Sequence, residues 1–184
     1  MSETNPSILS HVSIGTNDFD AASAFYAKVL ATLGCREIMR HPGAVAFGRD
    51  YPEFWVQTPI NGQPATLGNG SHFGFVAPDK ASVHAFHEAA LAAGGQDEGQ
   101  PGPRPDYGEP YYGCFVRDLD GHKIEAAYWN MELMYELYVE PHEHGLHGTS
   151  RPLKNVDEAG KTIPMAAPQK QPKNGRSRAR LYVL

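Results

Sequence analysis

An α+β fold of two βαβββ modules, their strands forming a curved mixed sheet and followed by a C-terminal tail, is what this sequence predicts. Three observations predict it. The chain repeats itself internally, each copy switches from strand-like to helix-like periodicity at the same point, and each helix carries its own start and stop signals.

The repeat aligns His11-Val-Ser-Ile-Gly-Thr-Asn-Asp with His72-Phe-Gly-Phe-Val-Ala-Pro-Asp without a gap, at an offset of 61. It pairs His11/His72, Asp18/Asp79, Ala24/Ala85, Phe25/Phe86, Leu30/Leu91, Ala31/Ala92 and Gly34/Gly95, seven identities in 24 positions. Leu9–Ile14 and Ser71–Val76 alternate in the manner of short strands around those histidines. Asp18 and Asp79 sit where a helix N-cap belongs, because a carboxylate there accepts bonds from orphaned backbone amides. Ala22, Phe25, Tyr26, Val29, Leu30 and Leu33 then recur at helical spacing, as do Val83, Phe86, Ala90 and Leu91. Gly34 and Gly94-Gly95 end the helices, since glycine reaches the left-handed region cheaply.

Strands are expected next at Arg36–Arg40, Ala44–Phe47 and Glu53–Gln57, and in the second copy at Tyr111–Arg117 and Lys123–Tyr128. Asp118-Leu-Asp-Gly121 reads as the turn between the last two. The Pro/Gly-rich stretch from Gln96 to Pro110 has no clear assignment. The modules are placed at about residues 8–58 and 69–129, and residues 130–184 form an extension. Met131–Val139 reads as a short helix, followed by His142, His144 and His147 and a basic tail.

The chain has 184 residues, 41% hydrophobic and 20% charged, enough for a genuine core in one domain. Its net charge of −5 is unevenly spread. From Arg151 onward eight Lys/Arg face two acidic residues, +6; the remainder has eight against nineteen, −11. An acidic body argues against nucleic-acid binding, which needs a basic footprint. Without an apolar run near the ~20 residues that cross a bilayer, or a signal-peptide pattern at the start, a cytoplasmic protein with no membrane partner is expected. Cys35 and Cys114 form no CxxC pair and read as buried thiols.

If the modules face each other about a pseudo-twofold axis, His11 and His72 point into one space. Glu125 in the last strand would complete a facial set of two imidazoles and a carboxylate for a divalent metal. His84 and His87, at i and i+3 on one helix face, read as surface residues, and His122 as exposed. For proton transfer or anion pairing the candidates are Tyr107, Tyr112 and Arg104, with Tyr111 in the same aromatic cluster.

The duplicated unit, the openings "SHVSIGTNDFDAASAFYAKVL" and "SHFGFVAPDKASVHAFHEAAL", and the ending "FVRDLDGHKIEA" resemble the vicinal oxygen chelate superfamily. That superfamily includes glyoxalase I, bleomycin-resistance proteins, fosfomycin-resistance enzymes and extradiol dioxygenases. The resemblance covers about the first 129 residues. It implies a curved sheet of two modules enclosing a metal, with His11, His72 and Glu125 as ligands. A fourth family ligand would fall at Trp55 if Asp50 is aligned with Asp120, or at Gln57 if Arg49-Asp50 is aligned with Arg117-Asp118. Tryptophan cannot ligate and a glutamine carbonyl ligates weakly. A three-ligand site of the fosfomycin or dioxygenase kind is therefore expected, rather than that of glyoxalase I, with Trp55 and Gln57 lining the pocket. The implied activity is lyase, transferase or dioxygenase chemistry on a small substrate that chelates Fe, Mn, Ni, Co or Zn through neighbouring oxygens, in a homodimer. The alternative is a non-catalytic small-molecule binder of the bleomycin-resistance type.

Overall fold

Side-chain periodicity becomes two helices and eight strands in a computed structural model that describes residues 9–134 and Leu137. The first module runs β1 (Val12–Gly15), α1 (Phe19–Ala31), β2 (Arg36–His41), β3 (Ala44–Gly48) and β4 (Phe54–Gln57). The second runs β5 (His72–Val76), α2 (Lys80–Ala92), β6 (Gln96–Gly102), β7 (Tyr111–Arg117) and β8 (Lys123–Trp129). A 3₁₀ turn, Pro105–Tyr107, precedes β7, and a single helical turn α3, Met131–Met134, follows β8. The remainder of the expected Met131–Val139 helix, His142, His144, His147 and the basic tail lie outside the described residues.

Each module makes its own mixed four-stranded sheet, ordered β1-β4-β3-β2 and β5-β8-β7-β6. The strand before each helix pairs parallel with the last strand of its module, and the other neighbours pair antiparallel. The stretch that composition could not place is β6. Its register with β7 slips between Asp97 and Gly99 and again before Gly102, so irregular pairing replaced the alternation that would have revealed it.

The helix starts are as expected. The Asp18 carboxylate accepts from Ala21 N at 3.0 Å and Asp79 from Ser82 N at 2.7 Å. Phe25, Tyr26, Val29 and Leu30 of α1 and Val83, Phe86 and Ala90 of α2 are buried in one continuous core with Val45, Phe47, Phe54, Val56, Cys114, Val116 and Ile124. Each large side chain so buried contributes about 1.5–3 kcal/mol. α2 is rotated slightly from the expected face. Leu91 is exposed, while His87 is buried with its Nε2 2.9 Å from Asp97 Oδ1 on β6. Cys114 is buried as expected, whereas Cys35 is only half-buried.

Helix α1 lies on β2, β3 and β4, helix α2 on β6, β7 and β8, and the two helices touch each other. The layers therefore run sheet, helix, helix, sheet. The sheet faces that the helices leave uncovered point away from one another. Phe54 bridges the modules with ring contacts to Phe73 and Phe75, at centroid distances of 5.9 and 5.0 Å.

A polar latch locks this arrangement. Asp118 is buried, accepting from the Tyr26 hydroxyl at 2.6 Å and from the amides of Asp120 and His122. Asp120 accepts from the Thr16 hydroxyl and from the Asn17 amide and side chain. His122, read from sequence as exposed, is buried, and its Nε2 lies 2.8 Å from Gly15 O. The turn between β7 and β8, closed by Gly121 at φ +94°, is thus plugged into the β1–α1 loop of the other module. Tyr26→Phe leaves one oxygen of a buried carboxylate without its donor. It should lower the unfolding free energy in urea by about 1.5–3 kcal/mol, with an unchanged m-value; a loss below about 0.5 kcal/mol would mean water replaces the hydroxyl.

Candidate metal centre and substrate face

The uncovered face of the second sheet can be read row by row from strand register, because paired residues project to the same side. One row crosses the sheet as Gly99, Phe115, Glu125 and Gly74. On one side of it lie Arg117, Lys123 and His72, and on the other Gly102, Gly113, Ala127 and Val76. Tyr111 and Trp129 follow. Glycines and one alanine make a low floor, from which Glu125, His72, Phe115 and Tyr111 rise.

Glu125 is 7% exposed and both its oxygens are used. Its Oε2 lies 2.6 Å from His72 Nε2, and its Oε1 accepts from the Tyr111 hydroxyl at 2.5 Å. Gly113 is what allows the second contact. A Cβ there would overlap the Tyr111 hydroxyl, so the phenol crosses over Gly113 to reach the carboxylate. Burial first, and then the Glu125 hydrogen bond and charge, push the Tyr111 phenol far above its ordinary value. Tyr111 therefore stays a neutral donor at any physiological pH. Tyr107, half exposed, packs edge-on against it at 4.9 Å between centroids.

Tyr111 was placed in the aromatic cluster by sequence but left out of the site, and strand alternation is the signal that finds it. Residues 111, 113 and 115 share the face of Glu125, so Tyr112 must point to the other. There the Tyr112 hydroxyl lies 2.8 Å from His84 Nε2, and Lys80 Nζ stands over its ring, on helix α2. Arg104 does reach the open face. Its guanidinium lies over the Phe115 ring at 5.6 Å and donates to Gln100 O and Pro103 O.

The register also matches the two sheets position by position. Ser13 pairs with Trp55 in the first sheet as Gly74 pairs with Glu125 in the second. Trp55, not Gln57, is the counterpart of Glu125. It stands on the uncovered face of the first sheet with Gln57 one step along, stacked parallel to His41 at 6.2 Å. His11 immediately precedes β1 and is exposed, its Nδ1 3.1 Å from Ser10 Oγ.

Within one chain, then, His72 and Glu125 meet and His11 does not join them. Among the described residues no group of three His, Cys, Asp or Glu side chains comes close enough to share a cation. The expectation that both imidazoles face one space inside a single chain assumed sheets facing each other across the pseudo-twofold. The helices lie between the sheets instead.

The two donors that do meet suit a divalent cation. They are an imidazole nitrogen and a carboxylate oxygen, the combination taken by Fe, Mn, Ni, Co and Zn. Space is kept beside them, because a Cβ on Gly74 would lie 3.2 Å from Glu125 Oε2 and 4.0 Å from His72 Nε2. The Tyr111 bond to the other oxygen is the kind of outer contact that orients a ligating carboxylate.

A buried, carboxylate-bound phenol has a direct spectroscopic consequence. Tyr111→Phe should leave the alkaline absorbance rise near 295 nm unchanged up to about pH 12, because Tyr111 does not ionise there in the native protein. A fall by one tyrosine's share of the rise would show an ordinary phenol.

Known proteins carry the same architecture. The family model for the glyoxalase/bleomycin resistance protein/dioxygenase superfamily matches residues 8–126. A crystal structure of a glyoxalase/bleomycin resistance protein from Albidiferax ferrireducens T118 is 40% identical, covering 66% of this chain and 98% of that one, with TM-score 0.60. A family enzyme from Burkholderia phytofirmans PsJN is 22% identical, covering 65% of this chain and 97% of that one, at 0.53. A glyoxalase-related enzyme from Fulvimarina pelagi is 18% identical, covering 88% and 99%, at 0.52. The last two share the fold alone. No curated protein matches. With its two βαβββ modules and a family model spanning both, the chain belongs to the glyoxalase/bleomycin resistance protein/dioxygenase superfamily.

Proposed function

We propose that the protein is a metal-dependent enzyme acting on a small substrate that chelates a divalent cation through neighbouring oxygens. The cation would be held by His72 and Glu125 of one copy and His11 of a second copy. The observation that carries this reading is the outward-facing pair of His72 Nε2 and Glu125 Oε2, 2.6 Å apart beside the gap left by Gly74.

Superfamily membership supports a cation in this position, and layer order supports the second copy. His11 belongs to the uncovered face of one sheet and Glu125 to that of the other, and the packed helices turn these faces apart. An isologous pair of chains can set the first sheet of each against the second sheet of its partner, forming two equivalent sites. Trp55 and Gln57 would then close each site from across the interface.

A divalent cation bound there supplies Lewis acidity to the substrate oxygens. Tyr111 holds Glu125 Oε1 as a neutral donor and so fixes the carboxylate rotamer. Tyr107 covers the Tyr111 ring and narrows the approach of water. On this reading Tyr107, half exposed at the rim, is the group that exchanges a proton with bound substrate. Tyr112, which lies on the helix side, is not so placed. The reading includes lyase, transferase and dioxygenase chemistry.

A second reading, non-catalytic binding of a small aromatic molecule, is favoured by one feature. Trp55 stands where a fourth ligand would be and makes a flat stack with His41. Metal content and subunit mixing separate the two. His72→Ala and His11→Ala should each lose most bound metal while remaining folded. Refolding the two variants together should restore about a quarter of the wild-type metal stoichiometry, because half of the dimers are mixed and each mixed dimer carries one intact site. No recovery on mixing would exclude a shared site, and full metal content in His72→Ala would exclude the centre itself.

A further inference from the structure

We infer that the substrate carries an oxyanion, a carboxylate or phosphate type of group, and that Arg104 and Lys123, packed about the Phe115 ring, receive it. The inference rests on reading this face as the substrate side of the proposed site, and it adds the chemical class of the ligand.

Three cations reach this face, and they differ in how they are neutralised. Arg117 is paired with Glu98, at 2.5 Å from Nε to Oε2. Lys123 Nζ stands 4.5 Å above the Phe115 ring centroid, and it has no ion pair with a carboxylate among the described residues. Among the described residues Arg104 is held by carbonyls, with Nη2 2.7 Å from Gln100 O and Nη1 3.1 Å from Pro103 O, and by no carboxylate. These bonds fix the guanidinium in place without cancelling its charge, which is the condition of a preorganised anion receptor.

The strand beneath is built around that guanidinium. A Cβ on Gly99 would lie 3.1 Å from Arg104 Nη2 and 3.0 Å from Phe115 Cδ2, and a Cβ on Gly102 would lie 3.3 Å from Arg104 Nη1. The same two glycines mark the slips in register between β6 and β7. The irregular strand thus lets the guanidinium settle close to the sheet instead of extending into solvent.

Phe115 lies directly across from Glu125, and its ring also meets the His72 ring at 6.1 Å between centroids. Phe115 is itself only 6% exposed, so an oxyanion reached by Arg104 and Lys123 would lie above the outer edge of this packed ring, with the rest of a small molecule running toward His72. Repulsion by Glu125 is limited, because its two oxygens are turned to His72 and Tyr111. The protein apart from its tail is strongly acidic, so two cations on one face with no carboxylate partner among the described residues mark that face for an anion rather than for general electrostatic attraction.

The test uses the full-length chain before and after chelator treatment, with benzoate as anionic probe and benzamide as its neutral counterpart, followed by calorimetry. Benzoate should bind saturably in both preparations and at least about tenfold tighter than benzamide. Arg104→Gln and Lys123→Gln should each weaken benzoate about tenfold, while leaving benzamide binding and metal stoichiometry unchanged. Equal affinity for the two probes, unaltered benzoate binding in both variants, or no benzoate binding at all would overturn the inference. Because the chelator-treated arm needs no cation, loss of the metal reading would leave the benzoate result standing, and the reverse also holds.

Discussion

Everything about the site follows from where the two helices lie. Each must bury an apolar stripe, and each does so against its own sheet on one side and against the other helix on the other. Burial of Phe25, Tyr26, Val29 and Leu30 with Val83, Phe86 and Ala90 is the dominant favourable term in such a fold. Once the helices occupy the middle, the remaining faces of the sheets are committed to the outside. A chain folded in this way carries two different half-surfaces rather than one enclosed cavity.

Those half-surfaces are not equivalent, although they belong to two copies of one structural unit. Trp55 and Glu125 occupy corresponding places in their sheets, as do Ser13 and Gly74. One face has become aromatic, with Trp55 stacked on His41, and the other polar and cationic around a buried carboxylate. A carboxylate at 7% exposure is costly unless both oxygens are matched, and Tyr111 and His72 match them. Gly113 and Gly74 matter here through space they leave open rather than through contacts they make.

The latch at Asp118 and Asp120 gives the repeat a second consequence. It joins the β7–β8 turn of one module to the β1–α1 loop of the other through Thr16, Asn17, Tyr26 and His122. Buried polar networks of this kind specify one arrangement when every member is satisfied. Here the arrangement specified is the angle between the modules, and therefore the direction in which Glu125 faces.

Local periodicity was enough to recognise both modules, their helices, the N-caps at Asp18 and Asp79 and the Asp118–Gly121 turn. These depend on residues within a few positions of each other, and the spacing of apolar side chains records them directly. The strand β6 escaped because its pairing slips at glycines and its sequence, Gln-Asp-Glu-Gly-Gln-Pro-Gly, has no apolar alternation. His122 and His87 were misread for a related reason: their partners, Gly15 O and Asp97, lie on other elements, 107 and 10 residues away. Likewise, one sequence marks His11, His72 and Glu125 as chemically suited to a cation. Only the tertiary structure shows that His72 and Glu125 meet while His11 faces elsewhere, because the packing of two helices between two sheets is a property of the whole core and of no single segment.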